Sequence, residues 1–398
     1  MTVGALIGAY QEVDEGGLRA LFPLAGRTLV EYQVRCAAAA GAAPIVVVVE
    51  RVPQALQDAF ERLRLDGVGV IAVSDIQDAV SRFEAGVPIL LIGDGIAPSA
   101  DLVSAIAELE EPAVVTVPDD EAHQAFERID AAARWAGVAI VDQHLLGSTA
   151  AMLGDWDLQS TVLRRAVQEG ATRLPVGMDT AEPLLVERPE QLEDFQRQLV
   201  TGSRAGRTDW ASRFLLPPVE DFATEQLMET SLRPGWLIWA GLGLTLFAAV
   251  AFTRGWHAAA MVLLVLAAPL DLIAARIAAI RLRPLPVRMW ARRLLWPAGG
   301  VALIGLAVWE MRYGSGWGAV IAAASTLAFA EAARIERPGV PTDPEIWLFS
   351  RRNAIFAAIP FALFGAWASY LVVMLLYAST SFFIVQHARH SPPELTRS

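Results

Sequence analysis

Cysteine is nearly absent. Cys36 is the only one in 398 residues, which excludes an internal disulfide framework and fits a reduced compartment. Histidine is scarce as well, five in all; His144, His257, His387 and His390 are scattered and give no metal-ligand spacing. No serine has the strand-turn-helix context of a nucleophile elbow. The first half carries no stripe of basic and aromatic residues, so nucleic acid is not an expected partner. Residues 1–10 (MTVGALIGAY) have no basic region ahead of their short apolar run. They read as a first β-strand and not as a signal peptide.

Apolar residues are what the chain has in excess. At 54% hydrophobic and a mean hydropathy of +0.41 it is too apolar for an ordinary soluble enzyme. Its length suggests about two or three domains. The net charge of -11 is an average over two unlike halves, with acidic residues mainly before Arg233 and arginine dominating the loops after it. Apolar runs at 236–253, 256–275, 294–309, 317–333 and 354–385 each suit a hydrocarbon core about 30 Å thick. The last is too long for one helix and divides at 365–369, giving about six spans. Tryptophans 236, 256, 290, 309, 317 and 347 fall at the run ends, where an interfacial aromatic belt belongs.

Arginine placement sets the expected orientation. Arg281, Arg283, Arg288, Arg292 and Arg293 lie between the second and third spans. Arg334, Arg337, Arg351 and Arg352 follow the fourth, and Arg389 lies in the tail. The opposite loops hold only Arg254 and Arg312, so the positive-inside rule places both termini in the cytoplasm. The expected organisation is a cytoplasmic domain over 1–203, an amphipathic interfacial linker over 204–234 with Trp210, Phe214 and Phe222, a multi-pass inner-membrane domain over 235–389, and a cytoplasmic tail over 390–398. Asp271 lies inside the second span. It is either a functional carboxylate or one that reaches the interface and pairs with an arginine.

The first 200 residues alternate short β-rich runs (3–7, 45–49, 70–73, 89–92, 114–117, 138–141) with helical stretches such as 28–40 and 54–65. That alternation predicts an α/β fold, a doubly wound, mostly parallel sheet followed by the all-α membrane region. Such sheets bind ligands at the carboxyl ends of their strands, where Gly93-Asp94-Gly95 falls.

Several landmarks resemble the nucleotidyltransferases of the sugar-nucleotide, or MobA-like, type. Residues 18–29 (LRALFPLAGRTL) are similar to that family's stretch after the phosphate loop. Ala39-Ala40-Gly41-Ala42 precedes a strand as the family's "AAG" does, and Gly93-Asp94 resembles its metal-binding "GD". Trp135-Ala136-Gly137-Val138 and residues 187–192 (ERPEQL) resemble its later strand and closing helix. The resemblance implies CTP or a related nucleotide as ligand and Mg²⁺ as cofactor. Asp94 and Glu187 would then be metal ligands, and Arg19 would stand in for the phosphate-binding lysine. One part is missing: residues 8–17 (GAYQEVDEGG) lack the Gly-rich pattern and carry acids where triphosphate needs backbone N–H groups.

The second half resembles the CDP-alcohol phosphatidyltransferases, which have six spans after an interfacial helix. Their chemistry needs four clustered carboxylates holding two metal ions. Aligned on Asp271, the remaining positions become Ala274, Ala275, Ala279, Arg288, Arg292 and Trp296, and no Asp or Glu occurs between Asp271 and Glu310. The combined architecture is similar to bifunctional inositol-phosphate cytidylyltransferase/di-inositol-phosphate synthases. Three functions stay open. One is a non-catalytic scaffold or regulatory subunit of polar-lipid synthesis, partnered by membrane lipids and an active lipid-synthesis enzyme, with close packing of its Ala-rich spans offering a homodimer surface. A second is a divergent transferase that makes or uses a CDP-activated alcohol, with Arg276, Arg281, Arg283, Arg288 and Arg292 clamping its diphosphate. The third is a nucleotidyltransferase active in the first half alone, through Arg19 and Asp94.

Overall fold

The computed structural model describes residues 3–13, 16–152, 158–177, 181–202, 208–228, 230, 232–283, 285, 289–337 and 345–390. Arg288, the expected boundary at 203–204 and tail residues 391–398 lie outside them. The chain divides into two compact units: Met1–Leu199 with Ile280–Arg283, and Val200–Ala279 with Pro284–Ser398.

The first unit is built on a seven-stranded sheet. Its strands are β1 (Val3–Gly8), β2 (Ala42–Val48), β3 (Ile71–Val73), β4 (Pro88–Ile92), β5 (Ala113–Pro118), β6 (Ala133–Asp142) and β7 (Thr172–Pro175). The spatial order is β7-β5-β6-β4-β1-β2-β3. The pairs β1–β2, β1–β4, β2–β3 and β5–β7 are parallel, whereas β6 runs antiparallel to both β4 and β5. The expected α/β sheet, mostly parallel, is therefore present, with one reversed strand. Helix α1 (Leu29–Ala39) starts at a capping box: Thr28 Oγ1 accepts from the Glu31 amide, and a Glu31 carboxylate oxygen accepts from the Thr28 amide. Helix α2 (Gln54–Leu65) lays Leu56, Ala59 and Leu63 inward. Apolar side chains from β1, β4, β5 and β6 form a buried core with Leu158, Val162 and Leu163 of α3 (Leu158–Gln168).

The second unit is helical. A short π-helical turn (Ala211–Leu215) leads into α4 (Pro217–Met228), which buries Thr224 and Met228 and leaves Phe222 exposed. Five helices are long and apolar enough to cross a membrane: Pro234–Thr253, His257–Ile280, Trp290–Tyr313, Trp317–Glu336 and Trp367–His390. The second is interrupted at Ala268-Pro269 into α6 (His257–Ala267) and α7 (Leu270–Ile280), because Pro269 has no N–H to continue the ladder. The others are α5, α8, α9 and α11 in chain order. The remaining helix, α10 (Arg351–Phe364), ends at Gly365, whose φ of 64° places it in the left-handed region that glycine favours. At 14 residues it reaches only about 21 Å, short of a hydrocarbon core about 30 Å thick. Five helices therefore meet the spanning length where the sequence suggested about six. The unit is that of a multi-pass membrane protein.

Candidate functional site

In the first unit a cleft of about 260 Å³ opens beside the carboxyl end of β4. Arg19, Asp94 and Glu187 all line it, so three residues singled out from the sequence do converge. Gln11, Glu127, Gln159 and Ser160 line it too. Nothing in the sequence marks these four, because polar residues in a loop or on an amphipathic helix read as solvated surface.

Asp94 is buried, and its environment decides what the cleft can do. Its Oδ2 accepts the backbone N–H groups of Tyr10 and Gln11 at 2.6 and 2.7 Å. Its own N–H donates to Gln159 Oε1 at 3.1 Å. Oδ1 is buried without a hydrogen-bond partner. Burial pushes the Asp94 carboxyl above its usual range, against the pull of the Gln11 and Tyr10 amides and of the Arg19 charge. Arg19 donates from Nη1 to Gln11 Oε1 at 2.6 Å. Its stem lies over Gly95, where a Cβ would stand 2.1 Å from Arg19 Cδ. Gly95 also has φ 72°, so both the backbone and the arginine demand glycine there.

Two amides of the loop after β1 are thus committed to a carboxylate from the same unit. In a phosphate-binding loop, N–H groups in this position must be free for an anion. The chain also contains no lysine anywhere, so no ammonium can supply the missing charge.

The donor set these residues offer a Mg²⁺ ion is small. One Asp94 oxygen is spent on amides, Glu187 is exposed, and no group of three or more His, Cys, Asp or Glu that could hold a metal occurs among the described residues.

In the second unit Asp271 stands in the first turn of α7. Its Oδ1 accepts from Arg351 Nη2 at 3.1 Å and its Oδ2 from Arg352 Nη2 at 2.5 Å. Arg352 Nη1 also donates to Asp209 at 2.8 Å, and its Nε to the Ala268 carbonyl at 3.3 Å beside the helix break. The carboxylate is held by two arginines, the reading in which it is an ion-paired structural residue. The partners come from α10 and not from Arg276 nearby. Both carboxylate oxygens are engaged, so Asp271 does not fit a dinuclear metal centre.

Two of the arginines suggested as a clamp are engaged within their own units. Arg276 is buried and donates to Asp221 at 2.8 Å and to the Val200 carbonyl at 2.6 Å. Arg281 and Arg283 group with the first unit, where Arg283 pairs with Asp66 at 2.7 Å. Arg292 is exposed on the first turn of α8. Arg288 lies outside the described residues.

No protein-family model matches the chain, and neither does any curated protein. Among solved structures it is similar to a UDP-glucose pyrophosphorylase complexed with UDP-glucose, at 10% identity and a TM-score of 0.39. That match covers 51% of this chain and all of the other.

Proposed function

We propose that this chain is a membrane-embedded, non-catalytic relative of a nucleotidyltransferase/CDP-alcohol phosphatidyltransferase fusion, acting as a scaffold or regulatory subunit in polar-lipid head-group synthesis. The observation that carries this reading is the commitment of the Tyr10 and Gln11 amides to Asp94. A triphosphate would have to displace a buried carboxylate to reach them, and it would bring its negative charge next to Asp94 and Glu187. The loss of free carboxylate at Asp271 supports the same reading independently. In this reading the chain sits in the cytoplasmic membrane with both termini inside, following its arginine-rich loops.

Isothermal titration of the full-length protein in detergent with CTP and Mg²⁺ tests it. No detectable heat at millimolar nucleotide is expected. Saturable binding at micromolar CTP that is lost in Asp94→Asn would overturn it.

A further inference from the structure

Five guanidiniums gather in one place in the first unit. Arg27 stands just before α1, Arg35 lies on α1 and Arg62 on α2, and Arg281 and Arg283 belong to the turn that groups with this unit. Asp66 ties two of them together: its Oδ2 accepts from Arg35 Nη2 at 2.5 Å, and its Oδ1 pairs with Arg283 Nη2 at 2.7 Å. Glu31 takes Arg62 at two points, 3.1 Å from Nε and 2.8 Å from Nη2. Arg27 lies within electrostatic reach of Glu31, Arg62, Arg35 and Asp66, but makes no side-chain hydrogen bond or ion pair among the described residues. Burial, joined by the charges of Arg27, Arg283 and Arg35, pushes the Arg281 pKa down to about 10. Between Arg281 and Arg283 the chain holds Leu282 at φ 46°, a left-handed conformation that side chains resist and that its surroundings must impose.

Burial gives the cluster its sign. The carboxylates that bond these arginines lie inside, with the Glu31 side chain fully buried and that of Asp66 7% exposed. Arg62 and Arg283 reach outward, at 36% and 31%, and Arg27 is half-buried. Even with the exposed Asp58, which also acts on Arg62, five arginines face three carboxylates, and two positive charges stay uncompensated. Like charges crowded in this way repel until an anion joins them. A guanidinium fork binds phosphate oxygens in pairs. A phosphomonoester brings about −1.5 to −2 charges at pH 7 and three acceptor oxygens, which matches that excess. A carboxylate or a phosphodiester, with a single charge, leaves half of it in place.

We infer that Arg27, Arg62 and Arg283 form a binding site for a phosphomonoester dianion, with Arg35, Arg281 and Asp66 supporting them from behind. The site holds a ligand and performs no chemistry. It shares no residue with the Asp94 cleft and does not depend on whether that cleft takes nucleotide. Arg281 follows Ile280, the last residue of a helix long and apolar enough to cross a membrane, so a lipid phosphate and a dissolved one can both reach the turn.

The test is footprinting of the full-length protein at pH 7 with phenylglyoxal, each arginine read by mass spectrometry. One arm, in detergent, adds millimolar inorganic phosphate or glycerol 3-phosphate against chloride at equal ionic strength. The other, in phosphatidylcholine nanodiscs, compares added phosphatidate with added phosphatidylglycerol. Arg27, Arg62 and Arg283 are expected to react several-fold more slowly, and together, with the phosphomonoester of at least one arm. Arg164, exposed elsewhere on the same unit, should react as before. Protection by the dissolved phosphates assigns a soluble ligand, and protection by phosphatidate alone assigns a lipid headgroup. Arg27→Gln removes a charge without breaking a bond, and it should raise the ligand concentration that protects Arg62 and Arg283 about tenfold. No protection in either arm would overturn the inference. So would phosphatidylglycerol protecting as well as phosphatidate, or an Arg27→Gln protein protected as before. Both arms are decisive on the unaltered protein, whatever the variant does to folding.

Discussion

Replacing Asp94 distinguishes a structural pin from a metal ligand. Asp94→Ala removes the acceptor of two amides bonded at 2.6 and 2.7 Å. Hydrogen bonds to a charged acceptor contribute about 1.5–3 kcal/mol each, or about 3–6 kcal/mol for the pair. Burial of the carboxylate opposes this, as its raised pKa shows, so the expected net loss is about 2–4 kcal/mol of local stability. At about 1.4 kcal/mol per tenfold, the Tyr10 and Gln11 amides should exchange with solvent deuterium about 30- to 1,000-fold faster. Asp94→Asn keeps an acceptor oxygen and should stay within about fivefold of the unaltered protein. The pH dependence has a definite sign. Because the folded-state pKa of Asp94 is raised, its proton stabilises the fold below the unfolded value of about 3.9, and that contribution is lost as pH rises through the folded value. Asp94→Asn should lack this dependence. Hydrogen exchange of the full-length protein, read on the peptide spanning 3–13, is the assay. Unchanged exchange in Asp94→Ala, or equal damage from Ala and Asn, would refute the reasoning.

Other perturbations have equally defined outcomes. Cys36 is fully buried and its thiol is pushed up to about 12, so maleimide should label it only after denaturation; fast labelling of the native protein at pH 8 would contradict its placement. Gly95→Ala should cost at least about 1–2 kcal/mol from its positive φ alone and should displace Arg19, read as a lowered melting temperature with faster exchange of the Gln11 region. Arg352→Met strands Asp209 and leaves Asp271 to Arg351 alone, and breaking such a buried pair should cost about 3–5 kcal/mol in a detergent melt. Adding Asp271→Asn to Arg352→Met should recover part of that loss, and no recovery would argue against the pairing.

Much of the first unit was legible because burial on both sheet faces leaves unbroken β-branched runs, and all six expected strands lie in the sheet. Such a run carries no direction, so nothing in Val138–Val141 announced that β6 is antiparallel. β7 escaped notice because its four residues, Thr172–Pro175, are half-exposed or exposed and read as loop. In the second unit hydropathy located every long helix, whereas the break at Pro269 in the second was not read from the sequence, where 256–275 counted as one span. The site was only half visible. Position after a strand pointed to Asp94, but its partners lie 83 and 84 residues away, and no local pattern encodes that. The same holds for Asp271, whose arginines stand 80 and 81 residues on. The arginines of the suggested clamp gave no such hint either: Arg276 is bonded to Asp221 and the Val200 carbonyl, and Arg283 to Asp66, partners 55, 76 and 217 residues away.

The central claim is that the architecture persists without the ancestral phosphoryl chemistry. The most direct measurement is turnover: purified full-length protein in lipid, supplied with radiolabelled CDP-linked alcohols and Mg²⁺ or Mn²⁺, assayed for CMP release and labelled lipid. The account predicts no product above the protein-free control. Product formation that is lost in Asp271→Asn would contradict it.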